Sequence, residues 1–296
     1  MPLFPLIPPI TPVQEHATLA DTIEQPLPLW TDLITLDVKY LIAFWFELVL
    51  LAYAGFAFLA HQKFRRYLGY KPGWNETDPK IPMVAFDWYN LRSSLAIATH
   101  AFYWILFVSV GLKATAAHAL AGIPLGLISL HSLLNNLPKD ANCTNRADMQ
   151  GLLMTSTQLF LLCIDSPHLL LAERITSVLT VIAGLQLYLS PALVAWIYNM
   201  PRHYAEERVM VHHINYYGYS LLVMETLGSA LVWQNPEQDN EKRREKILVA
   251  LGASLMVFVV GYAPMTKDAR HFVTNSVNAY IWMLLAFVVA LMILLL

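Results

Sequence analysis

The chain has 296 residues, of which 57% are apolar and only 14% charged, with a mean hydropathy of +0.48. Soluble globular domains carry far more charge, and here long uncharged runs alternate with short charged ones, the pattern of a polytopic membrane protein. This excludes a soluble enzyme, a secreted disulfide scaffold and a disordered chain. A net charge of −2 gives no reason to expect a nucleic-acid partner, and two cysteines, Cys143 and Cys163, supply neither a disulfide framework nor metal-ligand spacing.

Residues 1–38 hold no Lys or Arg but five acids and seven prolines. A signal peptide needs a basic start and a longer apolar run, so this stretch reads as an uncleaved, mostly irregular arm outside the membrane. Residues 39–296 then form one all-α domain, a polytopic transmembrane helical bundle. The first span is residues 40–60, long enough to cross about 30 Å of hydrocarbon at about 1.5 Å per residue. A basic connection follows, and residues 94–112 and 115–137 make a tight hairpin of spans. Residues 151–164 are short for a crossing and read as re-entrant or tilted. Residues 175–198, 214–233, 247–264 and 278–296 complete a set of seven spans, or eight if 151–164 crosses.

Basic loops set orientation. Six Lys or Arg lie between residues 61 and 93, against none in the arm. That places the N-terminus outside, which is lumenal in the endoplasmic reticulum. Seven crossings keep Lys242, Arg243, Arg244 and Lys246 on the cytoplasmic side with the first loop, so the rule favours seven. The sequons at Asn75 and Asn142 then face the cytoplasm and stay bare. No repeat and no low-complexity tract is visible.

Ionisable groups inside spans are costly, and those present usually face a bundle interior. Glu47 lies in the first span and Glu225 near the centre of a later one. At helical spacing Glu47 shares its face with Ala43, Leu50 and Ala54, and Glu225 with Gly218, Gly228 and Ser229; such small neighbours let helices approach closely. From the span ends, Glu47 lies about 10 Å deep and Glu225 about 16 Å, so the two are expected to share one chamber. Desolvation favours the neutral form of a carboxylic acid, the form that serves as a general acid. The competing reading makes each acid a hydrogen-bonded structural tie. Asp87, ahead of the second span, is a further candidate acid, or else a helix cap with Asn90 and Ser93. Asp165, in a turn marked by Ser166 and Pro167, is of second rank with Glu173.

Aromatic faces stabilise cations. Trp45, Trp104, Tyr217 and His100 are the candidate substrate-lining residues, although Trp and Tyr also gather at membrane interfaces. The ten histidines lack the clusters of a di-iron hydroxylase. Histidines 100, 118 and 131 have no spacing that enforces haem ligation. Neither a metal nor another cofactor is expected, and serine or cysteine nucleophile motifs, P-loops and dinucleotide glycine motifs are absent.

A small bundle with one acid in its first span (Glu47, in FWFELVLLAY) and another in a later span (Glu225, in LLVMETLGSA) resembles the fungal integral-membrane terpene cyclases. These include the ascochlorin and ascofuranone type and the related membrane epoxide hydrolases. The arm is longer than in the shortest members. The resemblance implies that the two acids protonate an epoxide on a prenyl or polyene chain, and that the cation closes a ring or is trapped by water or a hydroxyl. The expected partners are therefore a lipophilic small molecule and the lipid bilayer. The rival expectations are a small proton- or cation-coupled transporter and a non-catalytic subunit of a larger complex.

Overall fold

The computed structural model describes residues 38–68, 83–110, 112–135, 146–197, 208–234, 240–269 and 276–296. The N-terminal arm, both sequons and His203 lie outside them. Helices account for the regular structure among these residues: α1 (Val38–Leu59), α2 (His61–Leu68), α3 (Met83–Val110), α4 (Ala114–Ala121), α5 (Ile123–Asn135), α6 (Arg146–Cys163), α7 (Leu169–Leu189), α8 (Pro191–Ile197), α9 (Arg208–Val232), α10 (Asn240–Ala269) and α11 (Ser276–Leu295). Helices are the expected form, because in hydrocarbon each backbone N–H and C=O must find its partner within its own segment.

The breaks have local causes. Gly122 N–H turns back to the Ala119 carbonyl at 3.2 Å, and Pro124, which has no N–H to donate, sits at the start of α5. The predicted span 115–137 is therefore two helices, α4 and α5. Pro191 likewise separates α7 from α8, with Ser190 before it at φ −140°, ψ 61°. Between α6 and α7 the chain closes as a Schellman turn. Ser166 N–H donates to the Leu161 carbonyl at 2.9 Å and Asp165 N–H to the Leu162 carbonyl at 3.1 Å. Asp165 occupies the left-handed position, at φ 51°.

α9 is the central helix. It packs along α7, α10 and α3, and its middle also meets α4. In one direction α1, α3, α9, α10 and α11 follow one another around a ring that α11 closes against α1. On the other side of α3 and α9 lie α4 to α7. Close approach depends on glycine at the α7–α9 crossing. A Cβ on Gly218 would stand 2.4 Å from Leu187 Cβ and 2.8 Å from the Gly184 carbonyl. The core between helices is apolar, with Trp104, Ile214, Leu227, Ile247 and Leu251 fully buried.

Among the described residues four helical stretches are long and apolar enough to cross a membrane: Val38–Leu59, Leu91–Ser109, Ala114–Asn135 and Leu169–Leu189. Seven or eight crossings are expected from the sequence, and four stretches meet this measure among the described residues. α9 falls short because Asn215, three tyrosines and Glu225 dilute its apolar residues. The predicted re-entrant piece is the second half of α6, whose 18 residues begin with Arg146 and Asp148. The outward faces are apolar: Ile175, Val178, Leu179, Ile182 and Leu185 line one side of α7 and are exposed. Apolar outside with ionisable groups inside is the distribution of a membrane protein.

Candidate functional site

α7 carries Glu173 and Ser177 one turn apart, a spacing that puts both on one face, and that face meets α9. On α9 the same logic aligns Glu225 with Gly228 and Ser229. α4 contributes His118 and α3 contributes Tyr103. All four large polar groups are buried, with Glu173 0%, His118 3%, Glu225 3% and Tyr103 4% exposed.

His118 Nδ1 forms an ion pair with Glu173 Oε2. The Tyr103 ring stacks on the imidazole, with centroids 5.2 Å apart and planes 7° from parallel. Ser229 Oγ donates to Glu225 Oε1 at 3.5 Å and lies 3.3 Å from Ser177 Oγ, and the Ser177 hydroxyl also reaches Glu225. Trp233 Nε1 donates to Ser177 Oγ at 3.4 Å, closing the end of the cluster, and the Arg174 guanidinium lies 5.1 Å over the Trp233 ring. Gly228 brings the two halves together. A Cβ there would sit 3.4 Å from both Glu225 Oε1 and His118 Nε2, so the second imidazole nitrogen and the carboxyl oxygen both pack against Gly228. Tyr103 is also within electrostatic reach of Glu225. The arrangement offers a carboxyl group, an imidazole–carboxylate pair and an aromatic ring within one dry interior.

Glu47 has other partners. Its Oε2 lies 3.5 Å from His100 Nδ1, and His100 Nε2 is 3.3 Å from Ser254 Oγ on α10. Glu47 and Glu225 therefore serve different groups on different helices, rather than pairing as expected from their depths. Trp104 is buried one turn after His100. Trp45 is 62% exposed and packs edge-on against Phe44, 6.0 Å away, so it faces outward and lines no interior. Tyr217 is half-buried under the Arg92 guanidinium, at 5.9 Å, in a different cluster. There Arg92 pairs with Asp148, which also accepts a hydrogen bond from Ser132 Oγ at 2.7 Å. Asp165 is exposed in its turn, where its backbone shape accounts for its place. Asp87 lies within the first turns of α3 rather than at its cap, and its side chain falls outside what is described. His131 is exposed, away from His100 and His118. Among the described residues no three His, Cys, Asp or Glu groups converge as metal ligands.

By sequence His118 stands only among the histidines without haem-ligand spacing, and Glu173 is of second rank. The signal for Glu173 is a small and polar stripe of Glu173, Ser177 and Gly184 on an otherwise apolar α7, facing the stripe of Glu225, Gly228 and Ser229. No family model, curated protein or solved structure matches this chain.

Proposed function

We propose that the chain is a membrane-bound enzyme of natural-product biosynthesis that opens a lipophilic epoxide by acid catalysis, leading to cyclisation or hydrolysis. The supporting observation is the convergence of Glu225 with the His118–Glu173 pair and Tyr103 around Gly228. Epoxide opening suits such equipment, since ring strain drives the step and the protein supplies one proton in a dry interior. In this reading Glu225 protonates the epoxide oxygen as the C–O bond breaks. The Tyr103 face stabilises the cation, and His118 takes the proton released when a ring closes or water adds. Glu173 holds the imidazole in place. The protein sits in the endoplasmic reticulum membrane with its N-terminus lumenal and crosses seven times. It resembles the fungal integral-membrane terpene cyclases in layout.

The test is a product assay on membranes from a host expressing the chain, supplied with epoxidised prenyl-phenols and polyene epoxides. A product of unchanged mass identifies a cyclase, and one heavier by a water identifies a hydrolase. Replacing Glu225 by Gln removes the acid and lowers turnover by about 100-fold or more. Undiminished turnover in folded Glu225→Gln would overturn the assignment. A second reading, proton-coupled transport, is favoured by the presence of two separate buried carboxylate–imidazole pairs, Glu47–His100 and Glu173–His118. It expects proton flux into proteoliposomes that Glu47→Gln or Glu173→Gln abolishes, with no chemical product.

A further inference from the structure

Glu47 on α1, His100 on α3 and Ser254 on α10 stand apart from the Glu225 cluster, and nothing proposed for epoxide opening uses Ser254. Their connectivity is specific. Glu47 Oε2 faces His100 Nδ1 at 3.5 Å, while the opposite ring nitrogen, Nε2, meets Ser254 Oγ at 3.3 Å. All three are buried, at 0%, 2% and 0% exposed. A carboxylate on Nδ1 and a hydroxyl on Nε2 is the order that makes a serine nucleophilic, an arrangement defined by geometry and roles rather than by fold or chain order. Distances somewhat longer than a tight hydrogen bond are usual for such groups before substrate binds.

Two further details fit. Neither oxygen of Glu47 has a hydrogen-bond partner among the described residues, so the polar group this carboxylate addresses is the imidazole. The Ser254 hydroxyl lies 2.8 Å from the Leu251 carbonyl of its own helix, a common resting contact for a helical serine. Rotation about the Cβ–Oγ bond turns its proton from that carbonyl to His100 Nε2 without moving a heavy atom.

We infer that Ser254 is a nucleophile activated by His100 and oriented by Glu47, and that this second site takes an acyl ester carried in the bilayer. The substrate class follows from location: Glu47 and His100 lie within stretches apolar enough to cross a membrane, so a reactant reaches them from an apolar phase. Ser254 Oγ bonds to the ester carbonyl carbon as its proton passes to His100 Nε2. The carbon–oxygen bond to the alcohol then breaks, and the departing alkoxide takes that proton. Water hydrolyses the acyl-serine by the same route, regenerating the hydroxyl and releasing the carboxylic acid.

The full chain, purified into lipid nanodiscs, is treated with a long-chain alkyl fluorophosphonate and followed by intact mass and peptide mapping. The expected result is one adduct on Ser254, absent in Ser254→Ala and formed about 100-fold more slowly in His100→Gln. Circular dichroism checks folding. Glu47→Gln keeps the side-chain shape and is the second variant, also expected to slow labelling. No adduct on Ser254, or one that forms at the wild-type rate in folded His100→Gln and Glu47→Gln, overturns the inference. The label reports on Ser254 and the epoxide assay on Glu225, so failure of one reading is distinguishable from failure of the other.

Discussion

At the scale of single residues, the buried ion pairs are where one substitution does most. Arg92 on α3 and Asp148 on α6 are 8% and 5% exposed, and Ser132 on α5 donates to the same carboxylate. Removing one partner of a buried pair strands the other charge and typically costs about 3–5 kcal/mol, whereas replacing both with apolar residues is often close to neutral. Arg92→Met alone is therefore expected to lower the thermal midpoint of the detergent-solubilised protein sharply. Arg92→Met combined with Asp148→Leu should recover most of the loss. A double variant no more stable than the single one would show that the pair is held by something other than its charges. Neither residue stands out in the sequence, because Arg92 falls among the six basic residues between 61 and 93 and Asp148 lies ahead of the 151–164 segment. What the sequence did reveal was the cost of Glu47 and Glu225 in apolar runs. What it hid was their company, since His100, His118 and Ser254 come from remote parts of the chain and no periodicity links them.

At the scale of helices, glycine decides how closely neighbours lie. A Cβ on Gly218 meets backbone of α7 as well as Leu187, and backbone has little room to give. Gly218→Ala is expected to push α7 and α9 apart and destabilise by about 1–3 kcal/mol, the usual cost of overpacking. Gly55 on α1 is the control, with nothing within 4 Å of the position its Cβ would take. Gly55→Ala should stabilise, by up to about 1 kcal/mol, through helix propensity alone. Thermal unfolding of the two variants in the same detergent measures both, and equal shifts would show that the α7–α9 approach is not tight. Gly218 was legible as a small neighbour of Glu225. The helix ends were less so: the run 115–137 reads as continuous by apolarity, and at Gly122 and Pro124 it divides into two helices that together still make one membrane-length stretch. Prolines inside apolar runs are tolerated where neighbouring helices supply the missing contacts.

For the molecule as a whole, the all-helical class followed from composition, and four stretches of membrane length stand among the described residues. Hydropathy is averaged over a window, and α9 spreads Asn215, Glu225 and several tyrosines over its length, with Glu225 and Tyr219 buried and Asn215, Tyr216 and Tyr217 half-buried. Such a helix loses its apolar signature while being enclosed by the bundle. α7 is the reverse, with its outer side built of Ile175, Val178, Ile182 and Leu185. A cation placed there should meet lipid: Ile182→Lys is expected to cost about 2.5–3.5 kcal/mol of insertion free energy. The result would be less protein in the membrane fraction after an alkaline carbonate wash. Undiminished recovery would mean that this side of α7 is covered by protein instead.

The pairing of Glu47 with His100 also bears on how the chain is made. His100 and Ser254 are 154 residues apart, so at about 5–20 residues per second the ribosome needs about 8–30 s to add the serine after the histidine. Throughout that interval α1 and α3 have no α10 beside them. An acid and an imidazole on consecutive long helices give each other a polar partner at once, so the two segments leave for the bilayer as a hairpin rather than as separate, poorly tolerated spans. Glu173 arrives later and does the same for His118. The order of these residues along the chain thus sets a schedule in which no buried carboxylate on α1 or α7 waits for the last helix before it has a neighbour.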